Sequence, residues 1–226
     1  MTTNSTDGRA DVTRRQILRA ASYQFARRAY HDVCLDDILN EAELTKGAMY
    51  LHFHSKYALA LAIIDEQTVR SGAAFQELFT RKLSGLETLI DVSFLIDMAD
   101  ITEDITRAAF NLLESVGRTE KLQERLLGGW IEMLGEIAGR GIREGDIVDR
   151  GDPQDIGRLL VSIYMGLRQA SNLDDPAVLL GDYQKALSTV LRGIVQPDKI
   201  DYFAQFLKRR TALAIKAVSP PEILDN

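Results

Sequence analysis

The sequence predicts an all-α protein of roughly ten helices and no sheet. Three observations carry this. All five prolines lie at or after Pro153, so nothing interrupts a helix over the first 152 residues. Apolar residues recur at three- and four-residue spacing along nearly the whole chain. Alternating apolar–polar runs, the mark of a half-buried strand, are scarce.

Taken in order, Ile17, Ala20, Ala21 and Phe25 form the first helical stripe. Leu35, Ile38, Leu39 and Ala42 form a short second one. After Glu43-Leu44-Thr45, another short helix opens at Thr45 or Lys46. Ser55 is a plausible N-cap for a long helix through Leu59, Ile63 and Ile64 to about Arg81. Leu86, Leu89 and Ile90 begin the next, and Leu122, Leu126, Leu127, Trp130, Met133, Leu134 and Ile137 mark another. Ile156, Leu159, Leu160, Ile163 and Leu167 make a further stripe, as do Phe203, Phe206 and Leu207. Asp152-Pro153 and Asp175-Pro176 each pair an N-cap with proline at the first helical position. The tail at Ser219-Pro220-Pro221 reads as a frayed end.

With 226 residues, 46% of them hydrophobic, the chain can build one sizeable core, or a small domain joined to a larger one. A net charge of −6 argues against a nucleic-acid partner, but its distribution argues the other way. Residues 1–31 hold six basic side chains (Arg9, Arg14, Arg15, Arg19, Arg27, Arg28) and two acidic ones, a charge of +4 that leaves −10 on the remainder. That is a basic face on an acidic body. The single cysteine, Cys34, excludes an intrachain disulfide, suits a reducing cytoplasmic setting, and reads as a small filler at a helix start. The polar segment 1–11 has no apolar signal-peptide core, and no window of about 18 apolar residues predicts a membrane span.

Catalytic patterns are missing from the sequence: there is no Ser–His–Asp order, glycine-rich phosphate loop or zinc-ligand spacing, so no catalytic residue, metal or cofactor is expected. His52 and His54, two apart on a helix, point different ways. Asp97, Asp100 and Asp104, with Glu103 beside them, read as a solvated helix end; an all-helical metal-dependent enzyme built on them is a remote alternative.

Two short helices joined by a tight turn after a longer one make a helix-turn-helix, here between about Leu35 and Phe53. Thr45 can cap the second short helix, Lys46 brings charge, and Gly47 and Ala48 keep its surface low. Tyr50 adds a hydroxyl on a rigid arm, while Phe53 suits the core. The pattern runs without a gap through Ile17-Leu18-Arg19-Ala20-Ala21, Phe25, Tyr30, Asp37-Ile38, Ala42, Leu44-Thr45-Lys46-Gly47-Ala48-Met49-Tyr50, His52-Phe53 and Ser55-Lys56. This resembles the N-terminal domain of the TetR family. The resemblance implies a DNA-binding domain at 1–56, with the second short helix in the major groove. It implies phosphate contacts from Thr45, Tyr50 and Lys56, groove contacts from Lys46, Gly47, Ala48 and His52, and backbone contacts from Arg14 and Arg15. Two departures stand out. Ala29 and Glu43 occupy usual glycine positions, and a left-handed Glu43 costs of order 1 kcal/mol. Val33-Cys34 replaces the usual Ser or Thr cap, which predicts a fraying first short helix.

Residues 57–226 are acidic and amphipathic. The resemblance implies a ligand-binding and dimerisation domain, pairing helix 153–172 with 176–194 or 199–216 in a four-helix bundle. Gly166 would allow close approach there. A finer similarity, in Leu44 to Lys56, Leu59-Ala60, Glu66-Gln67, Trp130, Leu134, Ala138, Gly141 and Gly145-Asp146, is to the γ-butyrolactone receptor branch. It implies Trp130 as a ligand contact, with Phe110, Ile131, Leu134 and Tyr164 as further pocket candidates. The expected function is a cytoplasmic, homodimeric repressor on near-palindromic double-stranded operator DNA, released by a small apolar effector of γ-butyrolactone type. Alternatives are a regulator answering drugs or acyl thioesters, an activator, or a structural helical dimer with a vestigial DNA module.

Overall fold

The computed structural model describes residues 4–219, with side chains from Ala10 onward apart from that of Glu120. The tail expected to fray lies outside the described residues from Pro220 on. Ten α-helices follow in order among the described residues: α1 (Asn4–Arg27), α2 (Leu35–Ala42), α3 (Lys46–Tyr50), α4 (Lys56–Phe79), α5 (Gly85–Thr102), α6 (Asp104–Val116), α7 (Leu122–Arg143), α8 (Pro153–Ala170), α9 (Pro176–Ile194) and α10 (Ile200–Val218). Among the described residues, extended pairing is limited to one isolated antiparallel bridge, Ile147 with Val195. The fold is all-α, as the periodicity predicts. Ser55, Asp152 and Asp175 cap as expected: their side chains accept from the N–H groups of Ala58, Gln154 and Val178 at 3.0, 2.9 and 3.2 Å.

The chain forms two compact units, Met1–Ala73 with Glu103–Glu124, and Ala74–Thr102 with Arg125–Asn226. In the first, α1 packs on α2 and α6. Ile17, Phe25, Val33, Ile38, Met49, Leu59 and Ile63 are wholly buried there, joined by Leu112 and Leu113 of α6. Asn111 donates its amide to the carbonyls of Phe25 and Ala26, at 3.0 and 3.3 Å, so α6 satisfies part of the open end of α1.

One expectation is overturned in this unit. Helix α2 is not poorly capped. The Asp37 N–H donates to the Cys34 sulfur at 3.4 Å, and the Cys34 N–H donates to Asp37 Oδ2 at 2.9 Å, a complete capping box. The thiol takes the place of a hydroxyl and Asp37 that of the usual Glu or Gln. At the other end, Glu43 is left-handed (φ 53°, ψ 40°), as its position requires. The N–H groups of Glu43 and Leu44 return to the carbonyls of Asn40 and Leu39 at 3.3 and 3.1 Å, closing α2 in a Schellman motif.

The second unit is built around α5, which buries Leu86, Leu89, Ile90, Val92 and Phe94 together with Asp91, Ser93, Asp97 and Asp100. Two glycines permit close helix passage. A Cβ on Gly85 would lie 2.3 Å from the Gly141 nitrogen, and one on Gly157 would lie 2.4 Å from the Ile131 oxygen. The acidic run is also not the solvated helix end its spacing suggests. Asp97 and Asp100 are 1% and 2% exposed, whereas Asp104 opens α6 after the chain breaks at Glu103. Among the described residues no three His, Cys, Asp or Glu side chains are grouped to hold a metal ion.

Candidate DNA interface and effector chamber

Helix α3 is held from below and bare above. Met49 is wholly buried, while Thr45, Lys46, Gly47 and Tyr50 face solvent and Ala48 is half-exposed. Thr45 Oγ1 accepts the Ala48 N–H at 3.3 Å and fixes the start of the helix. A Cβ on Gly47 would meet nothing nearer than Thr45 Oγ1 at 4.0 Å, so this face is low and open to another surface. Tyr50 is 45% exposed. Gln16 of α1 donates to the Ala42 carbonyl at 2.8 Å, joining α1 to the end of α2 just before the turn into α3.

The basic candidates are Lys46, Arg14 and Arg15. Lys46 pairs with Asp36 at 3.1 Å; both are well exposed, and the Asp36 hydrogen bond raises the lysine above its usual pKa. Such a pair is screened by water and exchanges readily for another anion. Arg14 lies with its guanidinium 5.6 Å from the centre of the Phe53 ring, and Arg15 is exposed one residue on. His52 is half-buried beside Phe53, whose ring is in the core.

Lys56 has a different place. Its ammonium donates to the carbonyls of Tyr30 and Val33, both at 2.8 Å, and lies 4.3 Å from the centre of the Tyr30 ring. It bolts the start of α4 to the connection between α1 and α2.

In the second unit, Trp130, Leu134 and Tyr164 line a small chamber with Ser93, Ile96 and Tyr183. Its free volume is about 20 Å³. Three of the five residues proposed from sequence are thus brought together. Ile131 is not a lining residue; its carbonyl faces Gly157. Phe110 is buried on α6 in the first unit. Tyr183, which the sequence reading passed over, sits edge-on to both Phe94 and Tyr164, with ring centres 6.0 and 6.5 Å away. Its spacing from Leu179, Leu180 and Leu187 marks the buried face of α9.

A polar cluster adjoins these rings. Tyr164 donates its hydroxyl to Asp100 Oδ2 at 3.0 Å, and the Arg168 guanidinium pairs with the same oxygen. Asp97, one turn earlier on α5, has no hydrogen-bond partner for either carboxylate oxygen. Burial, and then the charge of Asp100, push Asp97 well above the usual carboxylate range. Tyr164 and Tyr183 are pushed up as well, chiefly by burial. Elsewhere in this unit a surface groove of about 330 Å³ lies between the end of α4, α5 and α10, beside an Asp91–Arg210 ion pair at 2.5 Å.

Residues 17–63 match the pattern of the tetR family of bacterial regulatory proteins. The A-factor receptor protein of Streptomyces griseus is 30% identical over 199 residues, 85% of this chain and 67% of that protein. The activator FasR of Mycolicibacterium smegmatis is 43% identical over 54 residues, 24% of this chain and 25% of that one. Among solved structures, a γ-butyrolactone receptor described as ArpA-like superposes with a TM-score of 0.79 at 25% identity, covering 91% of this chain and 99% of that one. CprB of Streptomyces coelicolor, in complex with its biological operator sequence, superposes at 0.77 with 25% identity over 91% and 99% of the two chains. No described helix is long and apolar enough to cross a membrane. The chain belongs to the tetR family of bacterial regulatory proteins, which are DNA-binding regulators and not enzymes.

Proposed function

We propose that this regulator is a cytoplasmic repressor that binds a near-palindromic operator as a homodimer and is released by a small, largely apolar effector of γ-butyrolactone type. Residues 1–56 read the DNA, and 57–226 hold the effector site and the dimer interface. The observation that carries the reading is the face of α3, where Thr45, Lys46, Gly47 and Tyr50 are exposed on a capped helix anchored by Met49. Placed in a major groove, Thr45 and Tyr50 reach phosphate oxygens, and Lys46, Gly47 and Ala48 lie against base edges with His52 at the groove wall. Arg14 and Arg15 add backbone contacts. Lys56 works indirectly, by holding the connection between α1 and α2. Two half-sites about 34–36 Å apart, or somewhat more, would suit a two-fold dimer.

The dimer forms through α8 and α9. Leu159, Ser162 and Gly166 share an exposed face of α8, and a Cβ on Gly166 would meet nothing within 4 Å, which leaves room for a second helix. Val178 is exposed on α9 beside it in sequence order.

Support for the effector class comes from the relatives named above as γ-butyrolactone and A-factor receptors, and from a chamber that is mostly apolar with an indole N–H and phenols. At about 20 Å³ the ligand-free chamber holds no more than about one water, so an effector must favour an opened arrangement. That preference is what can shift the equilibrium away from the DNA-competent state. Helix α4 runs from the Lys56 bolt to Phe79 and is the covalent path by which the shift reaches α3.

The test is a pull-down of genomic fragments with the full-length protein, repeated with alkyl-substituted γ-butyrolactones. A specific fragment, retained without lactone and released with it, is the expected result. Retention that lactones do not alter would remove the effector class, and capture of no fragment would remove the repressor.

A further inference from the structure

We propose that Asp97 is the polar anchor of the effector chamber: a neutral carboxylic acid that donates its proton to a carbonyl or lactone oxygen, so that the site selects uncharged, oxygen-bearing amphiphiles over cations. The inference rests on the reading of the Trp130 chamber as the effector site.

Asp97 is 1% exposed, and neither oxygen has a hydrogen-bond partner. A buried carboxyl without a protein hydrogen-bond partner is uncommon, because burial costs its hydration and no protein group compensates. The surroundings decide its form. The titratable groups around it are Asp100 on its own helix, Tyr164 and Arg168 on α8, and Tyr183 on α9. The cation of this set, Arg168, is committed to Asp100, which also accepts the Tyr164 hydroxyl. An ionised Asp97 would add an uncompensated negative charge beside Asp100 in the core; a protonated one leaves the cluster balanced.

The protonated acid is a hydrogen-bond donor in need of an acceptor. Ser93, one turn before Asp97 on α5, lines the chamber. Tyr164 and Tyr183 belong to both places: they line the chamber, and they lie close enough to interact with the Asp97 carboxyl. Asp97 itself does not line the chamber, so on this proposal an effector too large for about 20 Å³ reaches the acid by displacing Tyr164 or Tyr183, the lining residues that adjoin it. Once there, a ligand oxygen gains a bond that the ligand-free protein does not make. A carboxylate ligand would bring a second negative charge beside Asp100, whose counter-ion Arg168 is already engaged.

The experiment uses the chain's single tryptophan, Trp130, whose fluorescence reports on the chamber without DNA. Full-length wild type, Asp97→Asn and Asp97→Leu are titrated with an alkyl γ-butyrolactone and with an alkylamine of matched size, from pH 6 to 9. Asp97→Asn keeps a donor and the shape but cannot ionise; Asp97→Leu keeps only the volume. The proposal expects lactone affinity within about threefold of wild type in Asp97→Asn and about tenfold weaker in Asp97→Leu, with little amine binding. Lactone affinity of the wild type should fall as pH rises through the raised Asp97 value, and that of Asp97→Asn should stay flat. Tighter binding of the amine than of the lactone, lost in Asp97→Asn, would overturn the proposal by making Asp97 a counter-ion. So would equal lactone affinity in Asp97→Leu and wild type. Fluorescence that responds to neither ligand in wild type would overturn the chamber reading and this proposal with it, whereas the first two outcomes leave the chamber reading intact.

Discussion

Lys56 Nζ donates to the Val33 carbonyl at 2.8 Å across 23 residues of chain, and to Tyr30 at the same distance. A lysine that looks from the sequence like a phosphate ligand therefore serves inside the domain. Lys56→Met is expected to lower the stability of the first unit by about 1.5–3 kcal/mol, the range for losing hydrogen bonds to a charged group. Thermal melting measures that loss. The slope of log affinity against log salt separates the two roles. A positioning lysine leaves the slope unchanged, while a lost phosphate contact reduces its magnitude by about 0.9.

Cys34 and Asp37 carry the start of α2. Cys34→Ser, with a better acceptor, should leave stability equal or higher, and Cys34→Ala should cost about 1 kcal/mol. The Cys34 backbone N–H, followed by its thiol, holds Asp37 below its usual value of 3.8. A carboxyl lowered by folding contributes stability above its unfolded value and loses it as pH falls through the folded value. The stability gap between wild type and Asp37→Asn should accordingly be open above about pH 4 and close below it, as followed by denaturant unfolding across pH.

Gly166 tests the dimer. A Cβ there would meet nothing within 4 Å among the described residues. Gly166→Leu should leave the melting of the monomer nearly unchanged but weaken self-association, read by sedimentation against concentration. An unaltered dimer would move the interface to another pair of helices.

Much of this architecture is written locally. Helical spacing, the absence of proline before Pro153 and the Asp-Pro pairs placed the helices and their starts, because those signals act within one or two turns. The face of α3 was legible for the same reason. What escaped depends on partners distant in sequence. Asp97 and Asp100 read as solvated because carboxylates usually are, yet Asp100 finds Tyr164 and Arg168 at separations of 64 and 68 residues. The inward turn of Lys56 depends on two carbonyls whose direction no residue type announces. Cys34 escaped because thiols are weak acceptors and seldom cap; here Asp37 completes the box and compensates. In the chamber, Trp130, Leu134 and Tyr164 meet, whereas Ile131, next to Trp130 in sequence, is not among the lining residues.

The claim at the centre is that α3 reads DNA. Its most direct test is a gel-shift titration, at one fixed salt concentration, of wild type, Tyr50→Phe and Lys46→Ala on a fragment recovered by pull-down, with dimer mass checked for each. Loss of the tyrosine hydroxyl should weaken binding about fivefold to tenfold, and loss of the lysine about tenfold or more, with dimers intact. Unchanged affinity in both variants would place the DNA-reading surface somewhere other than α3.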